Sequence, residues 1–172
     1  MKRLYLLRHA KSSWADAESS DFDRPLSARG REACAALRAE LRRLEMAPER
    51  VLCSAARRTR ETLERIAPAL PAPHTTTIER ALYLAGAEKM LERVRRLEED
   101  CASALVIGHN PGIQALAGLL IGSGPRREIE RLQAKFPTGA LVALSFEGGS
   151  WRALTPESCA LVSFWCPRDA RD

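Results

Sequence analysis

What this chain lacks narrows it before anything it contains. No apolar run approaches the roughly 20 residues needed to cross a bilayer. The apolar stretch Leu4–Leu7, behind Lys2 and Arg3, is far shorter than the core of an export signal and runs straight into charged residues. The expectation is a cytoplasmic protein that neither spans nor lies on a membrane. No C-x-x-C pair occurs, and the cysteines Cys34, Cys53, Cys101, Cys159 and Cys166 are odd in number. Most stand among apolar neighbours, as in Val51-Leu52-Cys53 and Phe164-Trp165-Cys166, and read as reduced thiols lining a core rather than as a disulfide framework. Aromatic residues are only 5% of the chain and none alternates with a basic stretch, so no stacking track for nucleic acid is present. Neither H-x-x-x-H nor H-E-x-x-H spacing occurs, and no metal or cofactor is expected. Without heptads, repeats or a low-complexity linker, residues 1–172 read as one monomeric domain with a polar tail at 167–172.

What is present is an ordinary globular balance, 45% hydrophobic and 28% charged, with a net charge of +5 carried mostly by arginine. Much of that charge alternates with glutamate, as in Glu92-Arg93-Val94-Arg95-Arg96-Leu97-Glu98, the pattern of a solvated helix face. Lys2–Arg8 reads as a first strand, followed by a long polar loop from Ala10 to Arg24. Ser27 caps a helix with Ala33, Leu37, Leu41 and Leu44 on one face. Val51–Cys53 is a short strand, and Ser54 is expected to cap a second helix running to Ile66. Thr75–Ile78 is a strand, Ala87–Glu99 an amphipathic helix, and Ala104–Ile107 a strand. Pro111 opens another helix that ends at Gly122-Ser123-Gly124-Pro125, and Leu141–Phe146 and Leu161–Trp165 are late strands. Strands alternating with helices predict a three-layer α/β/α fold with a mostly parallel central sheet.

Ligands of such sheets bind outside the carboxyl ends of the strands. His9 and His109 each directly follow a strand, so both fall on that rim. Arg8 precedes His9, and Arg58 lies about one turn beyond Ser54 on a helix that starts at the same rim. Arginines grip phosphate oxygens in a fork and stay charged, and helix starts near Ser54 and Asn110 add backbone donors. The spacing alone leaves three readings open: an anion site, a metal site or no site. The metal reading suffers because an arginine-rich rim repels cations. His74, in a proline-rich loop, reads as surface.

Leu6-Leu7-Arg8-His9-Ala10 resembles the Arg-His-Gly signature of the histidine phosphatase superfamily, with Ala10 in place of glycine. Arg24-Pro25-Leu26-Ser27-Ala28-Arg29-Gly30, the run Ser54-Ala55-Ala56-Arg57-Arg58 with Thr62, and Gly108-His109-Asn110-Pro111-Gly112 resemble its further motifs in order, and Phe136-Pro137-Thr138-Gly139-Ala140 resembles a segment of its SixA-like branch. The resemblance implies a phosphoglycerate mutase-like fold and a metal-independent phosphatase acting on protein phosphohistidine. It implies His9 as the phosphorylated nucleophile, and Arg8, Arg58 and His109 as the phosphate pocket. Ser12, Arg24 and Asn110 are candidates for substrate binding, with Arg24 free either to line the pocket or to pair with Asp21 or Asp23.

Ester-cleaving relatives protonate an alkoxide with a carboxylic acid. Glu79 and Glu88 are the local carboxylates, and neither aligns with the acid position. A missing acid favours an imidazole leaving group, and so a phosphohistidine-bearing protein as partner and inorganic phosphate as product. The competing readings are a phosphomonoesterase for a small molecule or other phosphoprotein, and a non-catalytic anion- or nucleic-acid-binding module.

Overall fold

The computed structural model describes residues 1–169. Seven strands form one sheet in the order β3-β2-β4-β1-β6-β7-β5, with β1 in the middle. They are β1 (Lys2–Arg8), β2 (Arg50–Ser54), β3 (Thr75–Glu79), β4 (Ser103–Gly108), β5 (Ile121–Ser123), β6 (Leu141–Phe146) and β7 (Cys159–Trp165). β1 through β4 run parallel to one another, β6 lies antiparallel to both β1 and β7, and β5 pairs parallel with β7. The mixed, mostly parallel sheet expected from the alternation is present. Five helices join it: α1 (Ala28–Arg43), α2 (Arg57–Ile66), α3 (Ala87–Arg95), α4 (Gly112–Leu120) and α5 (Arg126–Ala134).

The period-2 pattern of the central strands sorts their side chains into two cores. Leu4 and Leu6 of β1 join Val106 of β4 in the core beneath α3 and α4. Tyr5 and Leu7 join Leu105 and Ile107 in the opposite core, beneath α1 and α2. Leu4 to Leu7 of β1 and all of β4 are buried, so beyond them the carboxyl ends of these strands are where the chain next reaches solvent. All five cysteines are free and buried.

Three local expectations change. Ser54 does not cap α2: that helix begins at Arg57 with Ala56 at its N-cap and no capping side chain, and the Ser54 hydroxyl turns to His109 instead. The helix expected over Ala87–Glu99 stops at Arg95. α5 lies where no element was read, and the three-residue β5 lies where the helix from Pro111 was expected to end. Of the polar tail expected at 167–172, residues 170–172 lie outside the described residues, while Asp169 accepts the Cys166 backbone N–H at 2.8 Å and pairs with Arg131.

Candidate active site

β1 ends at Arg8, and its ladder runs one residue further. The His9 N–H donates to the Gly108 carbonyl at 3.1 Å, so the tips of β1 and β4 are tied together. From the other side the Gly139 N–H reaches the carbonyls of Arg8 at 3.1 Å and His9 at 3.0 Å. Gly139 has φ of 77°, a left-handed turn that a side chain would strain. Ala10 tolerates its place in the signature: it is buried, and its N–H donates to the Thr62 hydroxyl of α2 at 3.0 Å. Gly30 is required by contact, since a Cβ there would fall 2.1 Å from the Lys11 carbonyl oxygen. The first turn of α1 therefore presses directly on the loop that leaves His9.

All seven residues expected at the site, Arg8, His9, Ser12, Arg24, Arg58, His109 and Asn110, line one cleft of about 500 Å³. Lys11, Trp14, Asp21, Leu84 and Thr138 complete its wall. Glu79 and Glu88 are not part of it. Glu79 is held by Arg93 through Nε bonds of 2.8 and 3.0 Å, and Glu88 is exposed on α3. His74 also lies outside the cleft, beside Arg50 and Asp100.

The His9 ring is oriented at both nitrogens. Its Nδ1 lies 2.7 Å from the Ala10 carbonyl oxygen, which can only accept, so Nδ1 carries the proton and Nε2 keeps a lone pair. The Arg58 Nε–H donates to that Nε2 at 3.3 Å. Burial, followed by the positive surroundings of His109, Arg58 and Arg8, outweighs the Ala10 bond and lowers the His9 pKa to about 3. The imidazole is therefore neutral throughout the neutral range.

His109 packs beside it, with ring centroids 5.3 Å apart. Its Nε2 lies 2.7 Å from the Ser54 hydroxyl, and Ser54 also receives the Ala56 N–H at 3.4 Å. The hydroxyl can either accept from Nε2–H or, with the Ala56 N–H on its oxygen, turn its hydrogen to Nε2, and the second arrangement puts the His109 proton on Nδ1. That Nδ1 is buried and has no hydrogen-bond partner among the described residues. Burial and Arg58 lower the His109 pKa to about 4.

The arginines are held by Asp21, which the sequence offered only as one of two possible partners for Arg24. Asp21 binds Arg24 at 2.9 Å and Arg58 at 3.1 Å through its carboxylate, and its backbone carbonyl takes a second bond from Arg58. The Tyr83 hydroxyl donates to the same carboxylate. Partial burial pushes the Asp21 pKa up, but the bond from Tyr83 and the charges and bonds of Arg58 and Arg24 outweigh it and bring it to about 2. Arg24 does both things expected of it, lining the cleft and pairing with Asp21, while Asp23 bonds the Ser20 hydroxyl. Arg8 donates to the Phe136 carbonyl at 2.8 Å, and its buried Nε has no partner among the described residues. The Asn110 amide donates to Gln114 and to Phe136, bracing the turn after β4. Four cationic side chains, Arg8, Lys11, Arg24 and Arg58, thus face one carboxylate, Asp21, with both histidines neutral. The arrangement suits a dianion with tetrahedrally disposed oxygens.

The family model for the histidine phosphatase superfamily (branch 1) matches residues 4–82, the stretch that carries Arg8, His9, Asp21 and Arg58. The structure of a protein described as a "putative phosphohistidine phosphatase SixA", from Nakamurella multipartitia, superposes with a TM-score of 0.82 at 29% identity, covering 96% of each chain. The chain belongs to the histidine phosphatase superfamily, in its SixA-like group. A second SixA structure, from Agrobacterium tumefaciens, gives a TM-score of 0.79 at 27% identity over 96% of this chain and 99% of that one. An uncharacterized protein of Mycobacterium tuberculosis is 40% identical over 168 residues, spanning 94% of this histidine phosphatase chain and 100% of the relative. The near-complete coverage matches the SixA-like chains in size as well as in fold.

Proposed function

We propose that this chain is a metal-independent phosphatase that works through a covalent phospho-His9 intermediate and acts on protein phosphohistidine. The observation that carries this reading is the state of His9: a buried, neutral ring whose Nδ1–H is committed to the Ala10 carbonyl, leaving the Nε2 lone pair among arginines.

In the first step Nε2 attacks phosphorus in line, the new N–P bond forms, and the leaving group departs with its electron pair. Arg58 must give up its contact with Nε2 as the phosphoryl group arrives, and its Nε–H then turns to an equatorial oxygen. The unpartnered Arg8 Nε and His109 Nδ1–H are donors in the same wall, in place before the charge develops. In the second step water attacks the phosphoryl group, His9 leaves as the neutral imidazole it was, and the proton from water goes to phosphate. Positioning and electrostatics carry the chemistry. The positive charge that a metal ion supplies elsewhere comes here from arginine.

The choice of phosphohistidine rests on the leaving group. Asp21 is the only carboxylate lining the cleft among the described residues, and it stays ionised well below neutrality, so it has no proton to give. Glu79 is committed to Arg93 outside the cleft. An alkoxide is a poor leaving group when no acid protonates it, whereas an imidazole is expelled more easily and takes up a proton readily. The two SixA-titled relatives support the same choice.

The test measures phosphate release, with EDTA present, from a phosphohistidine-bearing carrier protein and from p-nitrophenyl phosphate, for the wild type and His9→Ala. The expected result is release from phosphohistidine by the wild type, with a trapped phospho-His9 adduct detectable by mass spectrometry, and none by the variant. Equal activity of His9→Ala, or loss of activity in EDTA, would overturn the mechanism. Faster turnover of simple alkyl phosphates than of phosphohistidine would overturn the substrate assignment alone.

A further inference from the structure

The chain has nine aromatic residues. Six are buried in the core: Tyr5, Phe136, Phe146, Trp151, Phe164 and Trp165. Of the other three, Trp14 lines the cleft that holds His9, Tyr83 packs behind it against His109 and Asp21, and Phe22 packs on Tyr83. Phe22 meets Tyr83 edge-on at 5.0 Å, and Tyr83 meets His109 edge-on at 5.5 Å. Trp14 lies in the cleft wall itself and is 75% exposed. Its ring is not loose. The Arg24 guanidinium sits 3.4 Å from the ring centroid, and Arg24 is buried and fixed by Asp21 and by the Ser12 hydroxyl at 2.9 Å. One face of the indole therefore rests on a rigid planar cation, and the other is open to solvent at the mouth.

A second apolar side chain enters the same wall from the segment after β3. Leu84 is 56% exposed and has φ of 50°. A branched residue in the left-handed region is unusual, and such conformations persist where the surroundings enforce them, often at ligand clamps. Trp14 comes from the loop after β1 and Leu84 from the segment after β3, so two separate parts of the chain bring exposed apolar surface to one opening above a cationic floor.

We propose that this mouth is a binding subsite for a planar ring carried on the leaving-group side of the phosphate, with the open face of Trp14 as its platform and Leu84 as its apolar edge. The imidazole of phosphohistidine is such a ring, and so is a phenol or other aryl group. Arg24 joins the two parts of the site: one side of it faces the phosphate cleft and the other backs the indole. The proposal rests on reading the cleft as the phosphate site, and its test is chosen to stand apart from catalysis.

The experiment measures the binding of phenylphosphonate and methylphosphonate by calorimetry, at a pH where both are dianions, to wild type, Trp14→Ala and Trp14→Phe. Neither probe can be hydrolysed, so the result does not depend on the identity of the nucleophile or on turnover. The wild type is expected to prefer the phenyl compound by about tenfold, the size of a single good stacking contact. Trp14→Ala is expected to bring the ratio close to one, and Trp14→Phe to keep most of it. If Trp14 serves only to hold Arg24, its loss weakens both probes equally and leaves the ratio unchanged, which overturns the proposal. A wild-type ratio near one, or failure of both probes to bind at millimolar concentration, overturns it as well. Failure of His9→Ala to lose activity would instead strike the proposed mechanism and leave the ring subsite standing.

Discussion

Replacing Ser54 with alanine separates the tautomer of His109 from its mere presence. Ser54 is fully buried and His109 nearly so, and the proposed role of His109 has the Ser54 hydroxyl donate to Nε2 across the 2.7 Å contact between them, keeping the proton on Nδ1. Without the hydroxyl, Nε2 loses its partner and the proton is free to settle there, which would leave Nδ1 a bare acceptor facing phosphoryl oxygens. A hydrogen bond to a charged group contributes about 1.5–3 kcal/mol, and leaving a buried polar atom unpaired costs about 1–3 kcal/mol. The first figure corresponds to a fall in kcat/KM of roughly 10- to 150-fold. The second corresponds to a fall in Tm of about 2–12 °C for a chain of this size. Steady-state kinetics on phosphohistidine and a thermal melt read the two effects independently. A variant within twofold of wild type in kcat/KM would show that His109 does not act through the Nδ1 proton, even if Tm falls as expected.

Gly30→Ala should be costly although it lies outside the cleft, because its Cβ would sit 2.1 Å from the Lys11 carbonyl oxygen and must push α1 away from the loop after His9. About 1–3 kcal/mol of stability and at least tenfold in kcat/KM should be lost, and wild-type values in melting and kinetics would refute the coupling. Glu79→Gln should leave kcat on phenyl phosphate within twofold of wild type, since that carboxylate is bound to Arg93 outside the cleft, and a tenfold drop would restore it as a proton donor. Stability should fall as pH falls from 6.5 toward 4 and below. His9 and His109 have folded pKa values of about 3 and about 4, so the unfolded chain takes up their protons first, and their contribution is full above 6.5 and lost on the way down. Each contributes up to about 1.4 kcal/mol per pH unit in that window. Urea midpoints at a series of pH values, compared with those of His9→Asn, measure the slope, and a flat profile in the wild type would contradict the buried neutral state.

The parts of the site that lie at strand ends were legible because topology alone places them. His9 and His109 follow strands, parallel neighbours bring those ends together, and the motif order supplied Arg58. Asp21 was harder. It was named with Asp23 as a possible partner of Arg24, but nothing in a long polar loop shows that the same carboxylate also reaches Arg58. The Asp21-x-x-Arg24 spacing, now seen as an ion pair, was the available signal. Ser54 was read from its position before a helix, where serine is the usual cap, but a buried imidazole competes for the same hydroxyl and wins it. The helix Arg126–Ala134 escaped notice because only Ile129 and Leu132 mark its apolar face, too few to show a period. The direction of β6 was equally hidden, since a strand covered on both faces has the same composition whichever way it runs.

The middle position of β1 in the sheet has a consequence for how such a protein can diverge. The proposed nucleophile, His9, is attached to the strand whose amides are flanked on both edges, so its backbone should open only when the whole domain does. Trp14, Asp21 and Leu84 are carried on connections outside the strands, where substitutions, insertions and local opening are tolerated far more readily. Selection can therefore reshape the clientele of the enzyme one loop at a time while the reaction itself is inherited intact.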